Sequence, residues 1–424
     1  MSALLFILLA VFMSASIPIS LSIGLATILS ITCMSNVPNV LVVQRLFTGL
    51  DSFPLLAVPL FMVAGNLMER GGISRRLIDF ASSLVGKIHG GLGIVTILAC
   101  MFFAAISGSA PATVVAIGSI MVPAMIREGY DKAFAVALVA AGGTIGIVIP
   151  PSIPFVTYGI SVNVSIGKIF AAGIIPGILM GLALMVVCYI YSRMHGYGAG
   201  QLQAQRPLAA AREAILGLMM PIIILGGIYG GLFTPTEAAA VACVYSLVIG
   251  MLIYRELSVK DVFACMYDAS VPAAMVMLII GFAQGMGWVM TTEQVPALVT
   301  RFVESITSSP ISLILFLNLF LLVVGCVLET NAAIIILGPI LLPLLLKFGI
   351  DPVHFGILMV INLAIGLLTP PLGVNLFVAN GLRRDVSFSD IVRRVLPLLG
   401  GLLCVLMLVS YIPQLSLFLA GMIK

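Results

Sequence analysis

Ile149-Pro150-Pro151-Ser152-Ile153-Pro154 interrupts an apolar run, Ala133 to Tyr158, that would otherwise be an ordinary membrane helix. Proline lacks the amide donor and its ring clashes with the preceding turn, so two in succession break a helix and free the carbonyls of Gly146 to Ile149. Backbone left unpaired at membrane depth is tolerated only where protein, water or an ion satisfies it. The same device recurs at Leu368-Thr369-Pro370-Pro371-Leu372-Gly373, inside the run Val353 to Val378. A gapless shift of 220 positions pairs the two double prolines, and also Gly118 with Gly338, Pro123 with Pro343, Gly129 with Gly349, Asp131 with Asp351 and Gly146 with Gly366. Composition alone would produce matches at Leu, Ile and Val, but not this set at Gly, Pro and Asp. The chain contains an internal repeat.

Of 424 residues, 61% are hydrophobic and 8% charged, and the mean hydropathy is +1.25. A soluble domain has roughly half apolar and a quarter charged residues. Several uncharged runs reach the roughly 20 residues a helix needs to cross the hydrocarbon, and no alternating pattern suggests a barrel. Lipid cannot satisfy open backbone, so the class is an all-α polytopic membrane protein. The net charge of +4 maps onto loops as a topology signal and leaves no nucleic-acid footprint. The seven cysteines are scattered without a CxxC or a Cys/His cluster, which fits small buried apolar residues rather than metal ligands or disulfides. No Lys or Arg precedes the first apolar run, so that run reads as a membrane helix rather than a cleaved signal peptide.

In chain order, 1–52 supplies N-terminal membrane helices, with Ala3 to Met34 either one helix kinked at Pro18 or two short ones. The first repeat, 53–192, opens with a crossing from Phe53 to Met68 and an amphipathic interfacial helix from Ser74 to Ile88, striped by Leu77, Phe80, Ala81, Leu84 and Ile88. A re-entrant hairpin follows at about 92–126 around the tip Ser107-Gly108-Ser109, then a broken helix at about 133–158. Each hairpin arm reads as about half to two-thirds of a crossing. A polar cytoplasmic linker, 193–213, leads to connecting scaffold helices at 214–268. The second repeat, 269–395, has an amphipathic stripe of Val295, Leu298, Val299, Phe302 and Ile306, a hairpin at about 312–346 around Glu329-Thr330-Asn331, and a broken helix at about 353–378. A C-terminal helix occupies 396–424, with the last span at Leu396 to Met422.

Five spans separate the two hairpins, so they enter from opposite faces and the repeat is inverted. Fifteen of the twenty Lys and Arg, Lys87 and Arg206 among them, fall on the side from which the first hairpin enters; the other side keeps Arg45, Lys168, Arg301, Lys347 and Lys424. The positive-inside rule makes the richer side cytoplasmic.

Opposed hairpins and broken helices suit a secondary transporter, in which half-helix N-termini face an anion while freed carbonyls and hydroxyls face a cation such as sodium. Ser107, Ser109, Thr330, Asn331 and Thr369 offer oxygen ligands for a hard ion. Any one such Ser or Thr would more often bond a carbonyl one turn back; their clustering at tips and breaks reverses that preference. Glu237, just after Pro235, reads as a helix cap rather than a proton relay. Glu329 stands where the first repeat has Ser109 and reads as either a cap or an ion ligand. A channel could share a carbonyl-lined core, but opposed hairpins suit alternating access better. Enzyme readings are disfavoured: neither HExxH nor GxSxG occurs, no G-x-x-x-x-G-K-[ST] motif would bind ATP, and His89, His195 and His354 lie near span ends.

The run Pro54-Leu55-Leu56-Ala57-Val58-Pro59-Leu60-Phe61-Met62-Val63-Ala64-Gly65-Asn66-Leu67-Met68, the tip Ser107-Gly108-Ser109-Ala110, both double-proline segments and Gly231-Leu232-Phe233-Thr234-Pro235-Thr236-Glu237-Ala238 carry a resemblance. Over nearly its whole length the chain resembles the large membrane subunit (DctM-like) of tripartite ATP-independent periplasmic (TRAP) transporters. That resemblance implies an elevator-type, sodium-driven importer of organic acid anions such as dicarboxylates, sialic acids or other sugar acids, in a bacterial inner membrane. It implies two partners, a small four-helix membrane subunit and a periplasmic solute-binding protein. The small subunit is absent from this sequence, so it is either a separate chain or another part of a fusion. Matching positions place one sodium site at Ser107, Ser109, Gly146, Ile149 and Pro150, and a second at Gly325, Thr330, Gly366, Thr369 and Leu372. Candidate substrate contacts are Ser107, Pro154, Asn331 and Gly373. The two interfacial helices would brace a mobile transport domain of hairpins and broken helices. Glu329-Thr330-Asn331 departs from the family, where many relatives carry Asp and Pro, and this bears on the second tip's ligands and the substrate. The alternative is a stand-alone sodium/anion symporter that uses no binding protein.

Overall fold

The computed structural model describes residues 1–35, 37–85, 88–197, 207–370 and 373–423. Lys87, Arg206, Pro371, Leu372, Lys424 and the middle of the 193–213 linker therefore lie outside the described residues. At Pro18 the first apolar run divides into two helices, α1 (Ser2–Ser14) and α2 (Ile19–Met34), which settles the kinked-or-split alternative. A short helix that the sequence reading did not foresee, α3 (Val40–Leu50), meets α4 (Ala57–Arg70) through a 3-10 turn at Phe53–Leu56, and the pair bends by 68°. The crossing expected from Phe53 is thus one limb of a bent pair.

The amphipathic helix α5 (Ile73–Val85) leads to the hairpin arms α6 (Gly91–Ser107) and α7 (Ala110–Arg127). The first broken helix is α8 (Lys132–Thr144), a 3-10 turn at Ile145–Ile147, and α9 (Ile153–Val162). Long helices α10 (Ile166–His195), α11 (Pro207–Tyr229), α12 (Pro235–Leu247) and α13 (Val259–Thr292) follow. The second half continues with α14 (Val295–Ile306), the arms α15 (Pro310–Gly325) and α16 (Thr330–Lys347), and the broken pair α17 (Pro352–Gly366) and α18 (Val374–Leu382). The last span begins earlier than expected, as α19 (Phe388–Tyr411), and Pro413 sets off a short α20 (Gln414–Gly421) from it.

The repeat seen in the residues is a repeat of elements. Adding 220 to the bounds of α7, 110 and 127, gives 330 and 347, the bounds of α16. Asp131 and Asp351 both accept amide hydrogen bonds as N-caps of the two broken helices. Packing divides the helices into two groups. In one, α13 lies against α2, α3 and α4, α12 against α4 and α11, and α11 against α5. In the other, hairpins and broken helices pack together with α10, α19 and α20. Within that second group the repeats exchange partners: α9 lies on α16, and α18 lies on α7. Together with the odd span count, this exchange is what an inverted repeat produces.

Two expectations are corrected in detail. The arms α6 and α7 have 17 and 18 residues, about 26 Å at about 1.5 Å per residue, close to the roughly 30 Å hydrocarbon. They are longer than half to two-thirds of a crossing, the tip between them being only Gly108 and the N-cap Ser109. On α5, Leu77 and Ala81 are buried but Leu84 is exposed; the inward face is Ile73, Ser74, Leu77, Ile78 and Ala81, set by packing on α6 and α11. On α14 the stripe residues Leu298, Phe302 and Ile306 all face outward.

Candidate functional site

Each hairpin tip ends on the break of a discontinuous helix. At the first tip, Gly108 adopts the left-handed conformation with φ +62°, and a Cβ there would stand 2.6 Å from the Pro151 carbonyl oxygen. The Gly108 carbonyl accepts from the Ile153 amide at 3.4 Å. The tip thus seats against the double proline, partway along the broken helix.

Around that contact the hydroxyls gather on one carbonyl. Thr113 Oγ1 donates to the Ser109 carbonyl at 2.8 Å. Ser107 Oγ lies 3.1 Å from Thr113 Oγ1 and 3.4 Å from the same carbonyl. Gly146 closes the other side, where a Cβ would come 2.7 Å from the Ser109 oxygen and 2.6 Å from Thr113 Oγ1. Ser107, Ser109 and Gly146 are therefore brought together. Thr113, one turn beyond Ser109, belongs with them; its helical spacing was the available signal. Ile149 has its backbone against Gly177 of α10, and the Pro150-Pro151 bond is cis. Not all the carbonyls expected to be free are so: Ser152 Oγ donates to Ile147 O at 2.6 Å and also caps α9. Pro154 is buried in the first turn of α9.

The second tip is assembled by backbone and by a carboxylate. A Cβ on Gly366 would stand 2.5 Å from Gly325 Cα and 2.6 Å from its carbonyl oxygen, so these glycines allow arm and break to touch. Thr369 is one step on, its amide donating to Gly366 O at 2.9 Å and its hydroxyl to Ile365 O at 3.0 Å, the ordinary back-bond. Glu329 is the N-cap of α16: Oε2 accepts from the Ala332 amide at 3.0 Å and Oε1 from Asn331 Nδ2 at 2.8 Å. Asn331 Oδ1 in turn accepts from Thr157 Oγ1 at 3.0 Å, tying the second tip to α9 of the first repeat. Thr330 is buried at the start of α16, Gly373 caps α18 with φ +50°, and Leu372 lies outside the described residues. Asn362 Nδ2 donates to Asn318 Oδ1, and Asn318 Nδ2 to Ser410 Oγ, each at 2.8 Å. This buried chain joins α15, α17 and α19; scattered single asparagines gave no sequence signal for it.

Other side chains resolve into structural roles. Thr234 and Glu237 form a reciprocal capping box on α12. His354 Nδ1 lies 2.7 Å from Ser416 Oγ, but the Ser416 proton goes to Pro413 O at 3.0 Å and both residues are buried, so no activated nucleophile results. No group of His, Cys, Asp or Glu among the described residues could hold a metal. The available donors are carbonyls and hydroxyls, which suit a hard monovalent or divalent cation.

Opposed hairpins docked on paired helix breaks define a multi-pass membrane transporter with an inverted repeat. Residues 6–415 match the family described as "Tripartite ATP-independent periplasmic transporter, DctM component". The chain belongs to that family of bacterial inner-membrane permeases. It is 48% identical over 97% of its length to the isethionate TRAP transporter permease DctMQ of Oleidesulfovibrio alaskensis, of which it spans 65%. It is 42% identical to the C4-dicarboxylate TRAP transporter large permease DctM of Vibrio cholerae, covering 98% of this chain and 97% of that one. To the sialic acid TRAP transporter large permease SiaM of the same organism it is 41% identical, over 89% of this chain and 88% of that one. Its fold is similar to that of the YdaH transporter of Alcanivorax borkumensis, with a TM-score of 0.65 at 15% identity, covering 88% of this chain and 87% of that one.

Proposed function

We propose that this chain is the transport subunit of a sodium-coupled, binding-protein-dependent importer of small organic acid anions. The observation that supports this most directly is the docking of each tip on a helix break, which puts oxygen donors and half-helix N-termini at one place. Ser107, Ser109 and Thr113, with Gly146 behind them, would hold one sodium ion. The Gly325–Gly366 contact with Thr369, and Thr330 and Leu372 nearby in sequence, would hold a second. A bound sodium supplies positive charge that favours the anion and couples it to the ion gradient. The N-termini of α7 and α9 carry partial positive charge beside the first tip, where Ser107 and Pro154 would meet the substrate. Asn331 and Gly373 would do so at the second.

In this reading the group of hairpins and broken helices moves as an elevator against α1–α4 and α11–α13, with α5 and α14 as arms. The relatives' names, isethionate and C4-dicarboxylate, set the first substrates to try. In proteoliposomes holding this chain, the small four-helix subunit and the solute-binding protein, an inward sodium gradient should drive uptake of isethionate or succinate. Uptake indifferent to sodium overturns the coupling, and uptake by this chain alone would favour the stand-alone symporter.

A further inference from the structure

A cavity of about 420 Å³ lies between the two helix groups, its wall at Ser161 and Ile335 one turn on from the Thr157–Asn331 hydrogen bond of the second tip. Its polar wall consists of Arg45 on α3, Gln284, Trp288 and Thr291 on α13, and Ser161 on α9. Among the described residues no carboxylate lines it, and Arg45 makes no ion pair. Arg45 and Gln284 are both exposed into this space, and Thr291 donates its proton to Gly287 O at 2.8 Å. Gly49, one turn on from Arg45, lets α3 lie close to α13, since a Cβ there would come 3.0 Å from Gln284 Cβ. A guanidinium, an amide and hydroxyls thus line one space beside the Trp288 ring, with no acid among the described residues lining it to neutralise them. A guanidinium matches the paired oxygens of a carboxylate or sulfonate.

Arg45 is also among the few cations on the cation-poor side of the membrane. Four of the five polar residues belong to the α13 group, whereas Ser161 and the apolar wall of Ile335, Pro339 and Ile340 belong to the hairpin group. We propose that this cavity is an entry site for the transported anion, in which Arg45 receives the carboxylate or sulfonate head before the anion reaches the hairpin tips. The proposal rests on the organic-anion reading of function. Gln284, Ser161 and the Trp288 indole orient the anion, and Arg45 supplies the charge.

Trp288 is the chain's single tryptophan, so its fluorescence reports this cavity directly. The purified full chain, or its complex with the Trp288→Phe signal subtracted, is titrated with isethionate and succinate as Tris salts, with Tris chloride as the control. The expected result is a saturable change that Arg45→Gln weakens about tenfold, as loss of one charge-assisted contact would, and that Arg45→Lys partly restores. No change in the wild type, or equal half-saturation in Arg45→Gln, overturns the entry site. Because binding is read without transport, sodium-driven uptake measured on the same preparation judges the transport reading separately.

Discussion

The two hairpin tips occupy equivalent places in the repeat and are built from different chemistry. At the first, the hydroxyls of Ser107 and Thr113 converge on the Ser109 carbonyl, and the tip is held to its own repeat through Gly108 and Ile153. At the second, two glycine backbones touch, a carboxylate is engaged in capping, and Asn331 reaches across to the other repeat. What the repeat preserves is backbone geometry, seen in the N-caps at 109 and 329 and the close-contact glycines at 146 and 366. What it leaves free is the identity of the groups presented there.

The severest way to break this comparison is Gly366→Ala. The new Cβ would overlap the Gly325 backbone, which cannot swing aside as a side chain can, so destabilisation of about 1–3 kcal/mol is expected. Uptake per folded protein should fall at least about tenfold, because arm and break can no longer touch. Gly146→Ala meets the Thr113 hydroxyl, which can rotate, and the Ser109 carbonyl oxygen at 2.7 Å, a smaller backbone overlap than the three Gly325 atoms within 2.6 Å at Gly366, and should cost less. Equal uptake by Gly366→Ala and the wild type, measured against surface protein level, would show that the contact is dispensable. Next in size is the double change Ser107→Ala, Ser109→Ala: removing one hydroxyl from the carbonyl cluster and the N-cap hydroxyl of α7 beside it should raise the sodium half-saturation of uptake about tenfold. Unchanged sodium activation removes both as ligands.

Much of this fold is legible in the residues because proline, glycine and aspartate act on the backbone locally. Pro150-Pro151 and Pro370-Pro371 announce the breaks, and the 220-residue register predicts that α16 repeats α7. The capping role of Glu237 is equally local, written in Thr234-Pro235-Thr236-Glu237. Long-range pairings leave no such mark. Thr157 and Asn331 are 174 positions apart, and nothing in either neighbourhood announces the other. Thr113 stands one helical turn beyond Ser109, but that spacing marks a site only once Gly146 is placed opposite it. The closeness of Gly325 to Gly366 entered the reading through family resemblance, not through spacing. Helix α3 was missed because it is short and its Val40, Val43 and Phe47 face outward, so it lacks the length of a span.

Glu329 offers a gentler test of the same contrast. If its carboxylate acts as the cap the geometry shows, Glu329→Ala should cost about 0.5–2 kcal/mol. Glu329→Gln, which can still accept from the Ala332 amide, should keep most of the stability and leave sodium half-saturation unchanged. A sodium shift in Glu329→Gln without loss of thermal stability would move Glu329 from cap to ligand and bring the second tip's chemistry closer to the first.

The smallest effect is expected at the mouths of the broken helices, where the repeats again differ. Asp131, capping α8, pairs with Arg394 at 3.0 Å, and Lys132 beside it pairs with Asp385 at 2.9 Å, so the first broken helix is tied to the loop and helix after the second. Asp351 has no ion pair among the described residues; in that half the corresponding tie is Lys347 to Glu304, from α16 to α14. The hydrogen bond from Lys132, with that from Arg383, holds the Asp385 carboxyl down at about 2. A folded-state value below the ordinary carboxylate range means that its contribution is fully present above that range and is lost only as pH falls through about 2. Asp385 is exposed, so the pair is screened and Asp385→Asn should lower the melting temperature only slightly. The difference between variant and wild type should be constant from about pH 5 to 8, since Asp385 does not titrate there. A difference that grows across that interval would mean that a group other than Asp385 governs how the first broken helix is held.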